Sequence, residues 1–424
     1  MAVGRESEPY FFLSYAHTPK RHPNDPGDPD RWVCQFYNDL CDSILGLTNA
    51  HPRSVGFMDR ESDLGARWPE QLAQALATCQ VFVPLYSERY FDSEHCGREW
   101  FAFARRELNH RAQGHAAASA IVPALWADID PESMPEVAQS IKYDHSDLGR
   151  RYRTEGFYGL IKLKRFRKDY ELAVHQLARR IVRAAKAAKL SAVEPSDYLS
   201  LQTAFGSPDN LVTAGSQLQI TVLALDTSRL PAGRTGEYYG QTPRTWSPYR
   251  PLHSQPLAEY AKELATFFGC QPTVATFDER TAEWAVNGRP IPPGLCLVDA
   301  WATLSPEDRK KLRRFDELDQ SWISVLVPWN IHDAEMTAAE RDLRRALSQS
   351  LQRKLDSVPR RCKMAATGIP TLTEFGELLP EMAMTMLKRF RKDENVPAYP
   401  PEGPHVERPR LRGNTQGIQE DPDE

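Results

Sequence analysis

The sequence predicts an α/β protein made of two parallel sheets, each covered by helices on both faces. Three observations carry that expectation. Short apolar runs alternate with stretches of helical periodicity, and the runs lack the polar alternation of a sheet with one wet face. The alternation lapses near residue 191 and restarts near 217. A length of 424 residues suits two or three domains.

PYFFLSYA, from Pro9 to Ala16, reads as the first strand, stopped by the proline- and aspartate-rich HTPKRHPNDPGDPDR. Trp32, Phe36, Leu40 and Ile44 then recur at helical spacing, with Asp30 placed as a possible N-cap. SVGFMD follows as a strand, then the polar loop RESDLGARW, then a helix with Pro69 in its first turn and Leu72, Ala75, Leu76 and Cys79 on its buried face. QVFVPLYS is a third strand, a helix runs from near Ser93 through Arg105, and AIVPALWA, Ala120 to Ala127, is a fourth strand. Residues 128–160 carry no clear pattern. A long helix with Tyr170, Val174, Leu177 and Ile181 on one face ends near Leu190.

The Ser-, Pro-, Asp- and Gly-containing stretch 191–216 reads as a linker or loosely packed connection. Beyond it come LQITVLALD, a long Pro/Tyr/Arg-rich loop, a helix from Pro256 to Phe268, PTVATFDER, GLCLVDAW, a helix near Pro306 to Leu318, WISVLVPW, a helix from Ala338 to Leu355 and a last helix from Leu372 to Arg391. PRSVGFMDRES beside QPTVATFDERT suggests an internal duplication. The tail 395–424, with six prolines and almost no large apolar residue after Tyr399, reads as disordered. The expected organisation is therefore 1–190, a connection 191–216, a second α/β domain 217–394, and a tail.

Composition narrows the function. No apolar run is long enough to span a membrane and the N-terminus lacks a signal-peptide core, so a cytoplasmic protein is expected. Seven cysteines without a Cys-x-x-Cys fit neither a disulfide framework nor a zinc site, so no metal is expected. A net charge of −4 gives no global attraction to nucleic acid or anionic membrane. KLKRFRK, Lys162 to Lys168, reads as a solvated helix start; LKRFRKD occurs twice, at Leu163 to Asp169 and Leu387 to Asp393, with no physical reason. Phosphate-loop, dinucleotide-fingerprint, zinc-protease and nucleophile-elbow motifs are absent from the sequence. What remains is a parallel sheet whose ligand site lies beyond the C-terminal ends of its strands.

PYFFLSYA, DRESDLGARWPEQLAQAL and VFVPLYSERYFDSEHCGREW together resemble the Toll/interleukin-1 receptor (TIR) domain over about residues 8 to 185. The matching positions are Phe11 to Tyr15, then Asp59, Gly65 and Trp68, then Ser87, Tyr90, Ser93, Cys96 and Glu99. The resemblance implies a flavodoxin-like parallel sheet, followed here by a degenerate TIR-like second domain that lacks the third motif. It also implies self-association and, in family members that hydrolyse NAD, a catalytic role for Glu99, with NAD as substrate and no separate cofactor. A lone carboxylate suits this chemistry: nicotinamide leaves as a neutral pyridine, so the demand is to face the positive charge developing on the ribose. Ser14, Tyr15, Gly65, Trp68 and Cys96 are the substrate-binding candidates. Each also has a structural explanation: Cys96 as a packing residue, Trp68 as an anchor of its loop, Ser14 and Tyr15 as ordinary strand-end groups. His95 stands where the family usually has Trp.

The full layout resembles the actinobacterial TIR-like FxsC proteins, which accompany a ribosomal-peptide system; that implies peptide-maturation or defence partners. A scaffold without turnover and a nucleoside or deoxyribose transferase remain alternatives.

Overall fold

A computed structural model of the chain describes residues 8–20, 22, 27–59, 68–115, 118–139, 141–143, 146–205, 216–286, 291–317, 320–356 and 367–393. The loop from Arg60 to Arg67, with Gly65, and the tail 395–424 lie outside the described residues.

The first unit has strands β1 (Phe11–Ser14), β2 (Gly56–Met58), β3 (Val81–Tyr86) and β4 (Ala124–Leu125). They form a parallel sheet in the order β2-β1-β3-β4, with Phe11 opposite both Gly56 and Val81. Helices α1 (Arg31–Leu45), α2 (Trp68–Thr78), α3 (Glu88–Asp92), α4 (Glu94–Ala112), α5 (Glu136–Gln139), α6 (Arg150–Lys162) and α7 (Arg167–Ala188) surround it. Every residue of β1 and β3 is buried, as expected for central strands covered on both faces. The expected strand Ala120 to Ala127 is shorter: it pairs at Ala124–Leu125 and bridges Phe82 at Ile121. Pro123 between those points has no N–H to give the ladder. Within α6, Gly156 has φ +61°, and a Cβ there would lie 2.4 Å from the Trp126 carbonyl oxygen. The kink lets Tyr158 N–H donate to that oxygen at 2.9 Å, so glycine joins the patternless stretch to the sheet edge.

The second unit repeats the topology. Strands β5 (Gln217–Leu223), β6 (Gln271–Thr276), β7 (Gly294–Val298) and β8 (Ile323–Leu326) run parallel in the order β6-β5-β7-β8. Its helices are α8 (Leu257–Phe267), α9 (Phe277–Val286), α10 (Pro306–Glu317), α11 (Ala334–Ala338), α12 (Glu340–Ser350), α13 (Gln352–Asp356) and α14 (Leu372–Asp393). The single helix expected over Ala338 to Leu355 is thus two segments, α12 and α13, because Leu351 leaves helical geometry, and Ala339 separates them from α11. The two LKRFRKD copies sit at the start of α7 and the end of α14.

The units share α4. Its N-terminal half packs in the first core, whereas Leu108 and Ala112 belong to the second. Tyr260 of α8 donates its hydroxyl to Asn109 Oδ1 at 2.5 Å, Ser254 N–H donates to the Ala112 carbonyl at 2.9 Å, and Arg105 pairs with Glu377 of α14 at 3.4 Å. Residues 193–205 of the expected connection are packed on the first unit, with Tyr198 and Phe205 buried. Among the described residues no helix is long and apolar enough to cross a membrane.

Candidate active site

The chain leaves β1 toward β2 on one side and reaches β3 on the other, so the crevice beyond β1 and β3 is the topological switch point where such sheets take ligands. Ser14 ends β1 and is buried. Ser87, after β3, accepts from Tyr90 N–H at 3.2 Å and starts the short helix carrying Tyr90; Ser93 accepts from Cys96 N–H at 3.3 Å and starts α4, carrying Cys96 and Glu99. The two serine caps fix where the third motif's side chains fall.

Glu99 is 3% exposed. Ser14 donates its hydroxyl to Glu99 Oε2, and Tyr90 OH lies 2.9 Å from Ser14 Oγ, completing a chain Tyr90–Ser14–Glu99. Burial pushes the Glu99 carboxyl up to about 8, and the negative charge of Asp59 adds to the rise, against the opposing pull of the Ser14 bond and the His17 charge. At neutral pH in this closed arrangement Glu99 is therefore largely a neutral acid. Cys96 is 2% exposed and burial raises its thiol well above the ordinary range, which marks a packing group rather than a nucleophile.

Beside this buried chain lies a charged cluster that sequence reasoning missed. His17 Nδ1 is 3.1 Å from Asp30 and its Nε2 is 3.6 Å from Asp59. The bonds to Asp30 and Asp59 push the imidazole up to about 10 although burial opposes the rise, so His17 is an imidazolium between two carboxylates. Asp30 does not make the expected side-chain N-cap bond to its helix. Its carboxylate turns instead to Thr18 N–H at 2.9 Å and to His17, and although burial works against ionisation those bonds hold it below the usual range. Tyr15 spends its hydroxyl on the Asp59 carbonyl at 2.9 Å and sets its ring 4.7 Å from that of His17.

The structure thus brings Ser14, Tyr90, Cys96 and Glu99 together, with Tyr15, His17, Asp30 and Asp59 adjoining. Trp68 opens α2, and its side chain, like the whole of Gly65, lies outside the described residues. His95 stacks with Tyr198, their rings 6.5 Å apart and 7° from parallel. The sequence signals for the missed members were thin: a histidine two residues past the Ser-Tyr strand end, and two aromatic residues in a connection without clear periodicity. Among the described residues no cluster of His, Cys, Asp and Glu has the arrangement to hold a metal ion.

A doubly wound parallel sheet with a buried carboxyl at its switch point defines the class of the first unit. Residues 11–157 match the family described as TIR domain, and Ser14 and Glu99 fall within the matched span. The curated proteins contain no match to the chain.

Proposed function

We propose that the first unit cleaves NAD at the nicotinamide–ribose bond, with Glu99 as the catalytic carboxylate, in a signalling or defence role. The observation that supports this best is the buried Tyr90–Ser14–Glu99 chain at the switch point, a strongly perturbed acid where this fold takes ligands. As the bond breaks, its electron pair leaves on the nicotinamide ring nitrogen and the ribose becomes oxocarbenium-like. Glu99 orients the ribose hydroxyls and faces that charge, and water adds to the ribose carbon and loses a proton, giving ADP-ribose; attack by the adenine ring gives the cyclic product instead. For this Glu99 must ionise. Admitting water and the cationic nicotinamide ring of the substrate removes the burial that raises its pKa and supplies an opposite charge.

The test is NAD consumption by the full chain at high concentration with a crowding agent, wild type beside Glu99→Ala. The expected outcome is nicotinamide release by the wild type and a loss of about a hundredfold or more in the variant. Equal turnover by both removes Glu99 from the role.

A second reading, a self-associating scaffold without turnover in a peptide-maturation system, is favoured by one observation. In the second unit the corresponding crevice is filled by its own Arg234, ion-paired and buried. No turnover by the wild type under any assembly state, together with concentration-dependent self-association, favours that reading.

A further inference from the structure

The connection between the units is built onto the candidate active site. Phe205 packs its ring against Tyr90, Phe91 and Trp100, at centroid distances of 5.4, 5.1 and 5.7 Å. Ala204 N–H donates to the Gly97 carbonyl at 2.9 Å. Tyr198 donates its hydroxyl to the His95 carbonyl at 3.3 Å while its ring stacks on the His95 imidazole. The fit depends on a missing side chain: a Cβ on Gly97 would stand 1.8 Å from Thr203 Oγ1 and 3.0 Å from Thr203 Cβ. So the segment lies on the turn of α4 that carries Cys96, Gly97 and Glu99, and its anchor Phe205 touches Tyr90, the outer member of the hydrogen-bonded chain.

The other features of this segment mark it as separable. Leu199 is 60% and Val193 43% exposed, so much of its apolar surface is not committed to the core. Val193, Glu194, Ser196 and Leu201 line a cavity of about 400 Å³ against α2 and α4. Ser196 ties it to both units, accepting from Arg105 Nη2 at 2.6 Å and reaching Glu377 of α14 at 3.3 Å.

We propose that residues 193–205 are an autoinhibitory strap that keeps Glu99 covered when seated and must lift for the nucleotide substrate to reach it. This rests on the NAD reading for the identity of the substrate, not for the seal itself. The Arg105–Ser196–Glu377 contacts make the seat sensitive to the position of the second unit. Cys96, buried on α4 beside Gly97, reports whether the strap is seated.

The experiment uses the full chain and two routes to unseating. Phe205→Ala removes the anchor. Gly97→Ala keeps a good helix former in α4 while driving a methyl group into Thr203, and the double variant Gly97→Ala/Thr203→Gly removes the clash. Alkylation of Cys96 by iodoacetamide, followed by peptide mass, and NAD consumption are measured on the same folded samples. The expected result is Cys96 alkylation faster by about tenfold or more in both single variants, return toward the wild-type rate in the double variant, and NAD turnover in the same order. Unchanged Cys96 alkylation in both single variants overturns the strap, and if NAD is then cleaved equally by all samples the NAD reading survives without it. Faster alkylation with no NAD cleavage in any sample supports the strap and removes the NAD reading.

Discussion

The two sheets have the same strand order and the same switch-point crevice, yet they treat a buried acid in opposite ways. In the first, Glu99 has a hydroxyl partner and, among the described residues, no cation in ion-pair contact, so burial leaves it protonated near neutrality. In the second, Asp299 follows β7, is fully buried, and accepts from Leu225 N–H, Trp301 N–H and Tyr239 OH. Burial still raises its pKa, but only to about 6, because the Arg234 charge and those donors oppose the rise. Arg234, from the long loop after β5, fills the crevice: it meets Asp333 at 2.6 Å and Glu335 at 3.0 Å, donates Nε–H to Tyr239 OH at 3.0 Å, and lies over the rings of Tyr238, Tyr239 and Trp301. One crevice keeps its acid neutral by burial; the other answers each charge with an internal partner. A fold with two equivalent sites holds its electrostatic tension in one of them, and that is the one to examine for chemistry.

That contrast can be broken in three ways. Removing the internal answer has the largest effect: Arg234→Ala leaves Asp333 and Asp299 without their cation and lowers stability by about 3–5 kcal/mol, read by denaturant unfolding. A loss below about 1 kcal/mol shows that the crevice is not held by this charge. Raising the pH is the second probe. Glu99 ionises near 8 in the folded chain but near 4.5 when unfolded, so between those values the folded state binds the extra proton. The stability from its protonated form is complete below about 4.5 and is lost as pH rises through about 8. His17, raised from 6.5 to about 10, acts in the same direction over a higher window, so a denaturation midpoint measured from pH 6 to 9 falls steadily. The smallest effect is Glu99→Gln. The amide resembles the neutral acid, so at pH 4, below the unfolded value, stability changes by less than about 1 kcal/mol, while the share of the fall that Glu99 contributes up to about 8 disappears. An undiminished fall in that variant assigns the titration elsewhere, with His17 the first candidate.

Much of this was legible in the residues, and the limits have physical causes. Unbroken apolar runs identify central strands of a parallel sheet because both faces are covered, which β1 and β3 satisfy. Ser14 and Glu99 could be placed near each other because each is fixed by local structure, a strand end and a helix start. The His17–Asp30–Asp59 cluster was not legible, since its members come from the loop after β1, the approach to α1 and the end of β2. Asp30 shows the difficulty: local rules make it a helix cap, and a tertiary partner claims its carboxylate. The connection was misleading for a related reason. Its composition is that of a linker, and only two aromatic residues, Tyr198 and Phe205, mark the face it buries.

The sharing of α4 carries a consequence for modularity. Its last turns supply Leu108 and Ala112 to the neighbouring core, and Asn109 accepts the hydroxyl of Tyr260. A chain cut after residue 205 would present those apolar groups to water, and one begun at residue 216 would lack them. The two halves therefore do not fold as independent beads: each depends on packing that α4 supplies across the boundary.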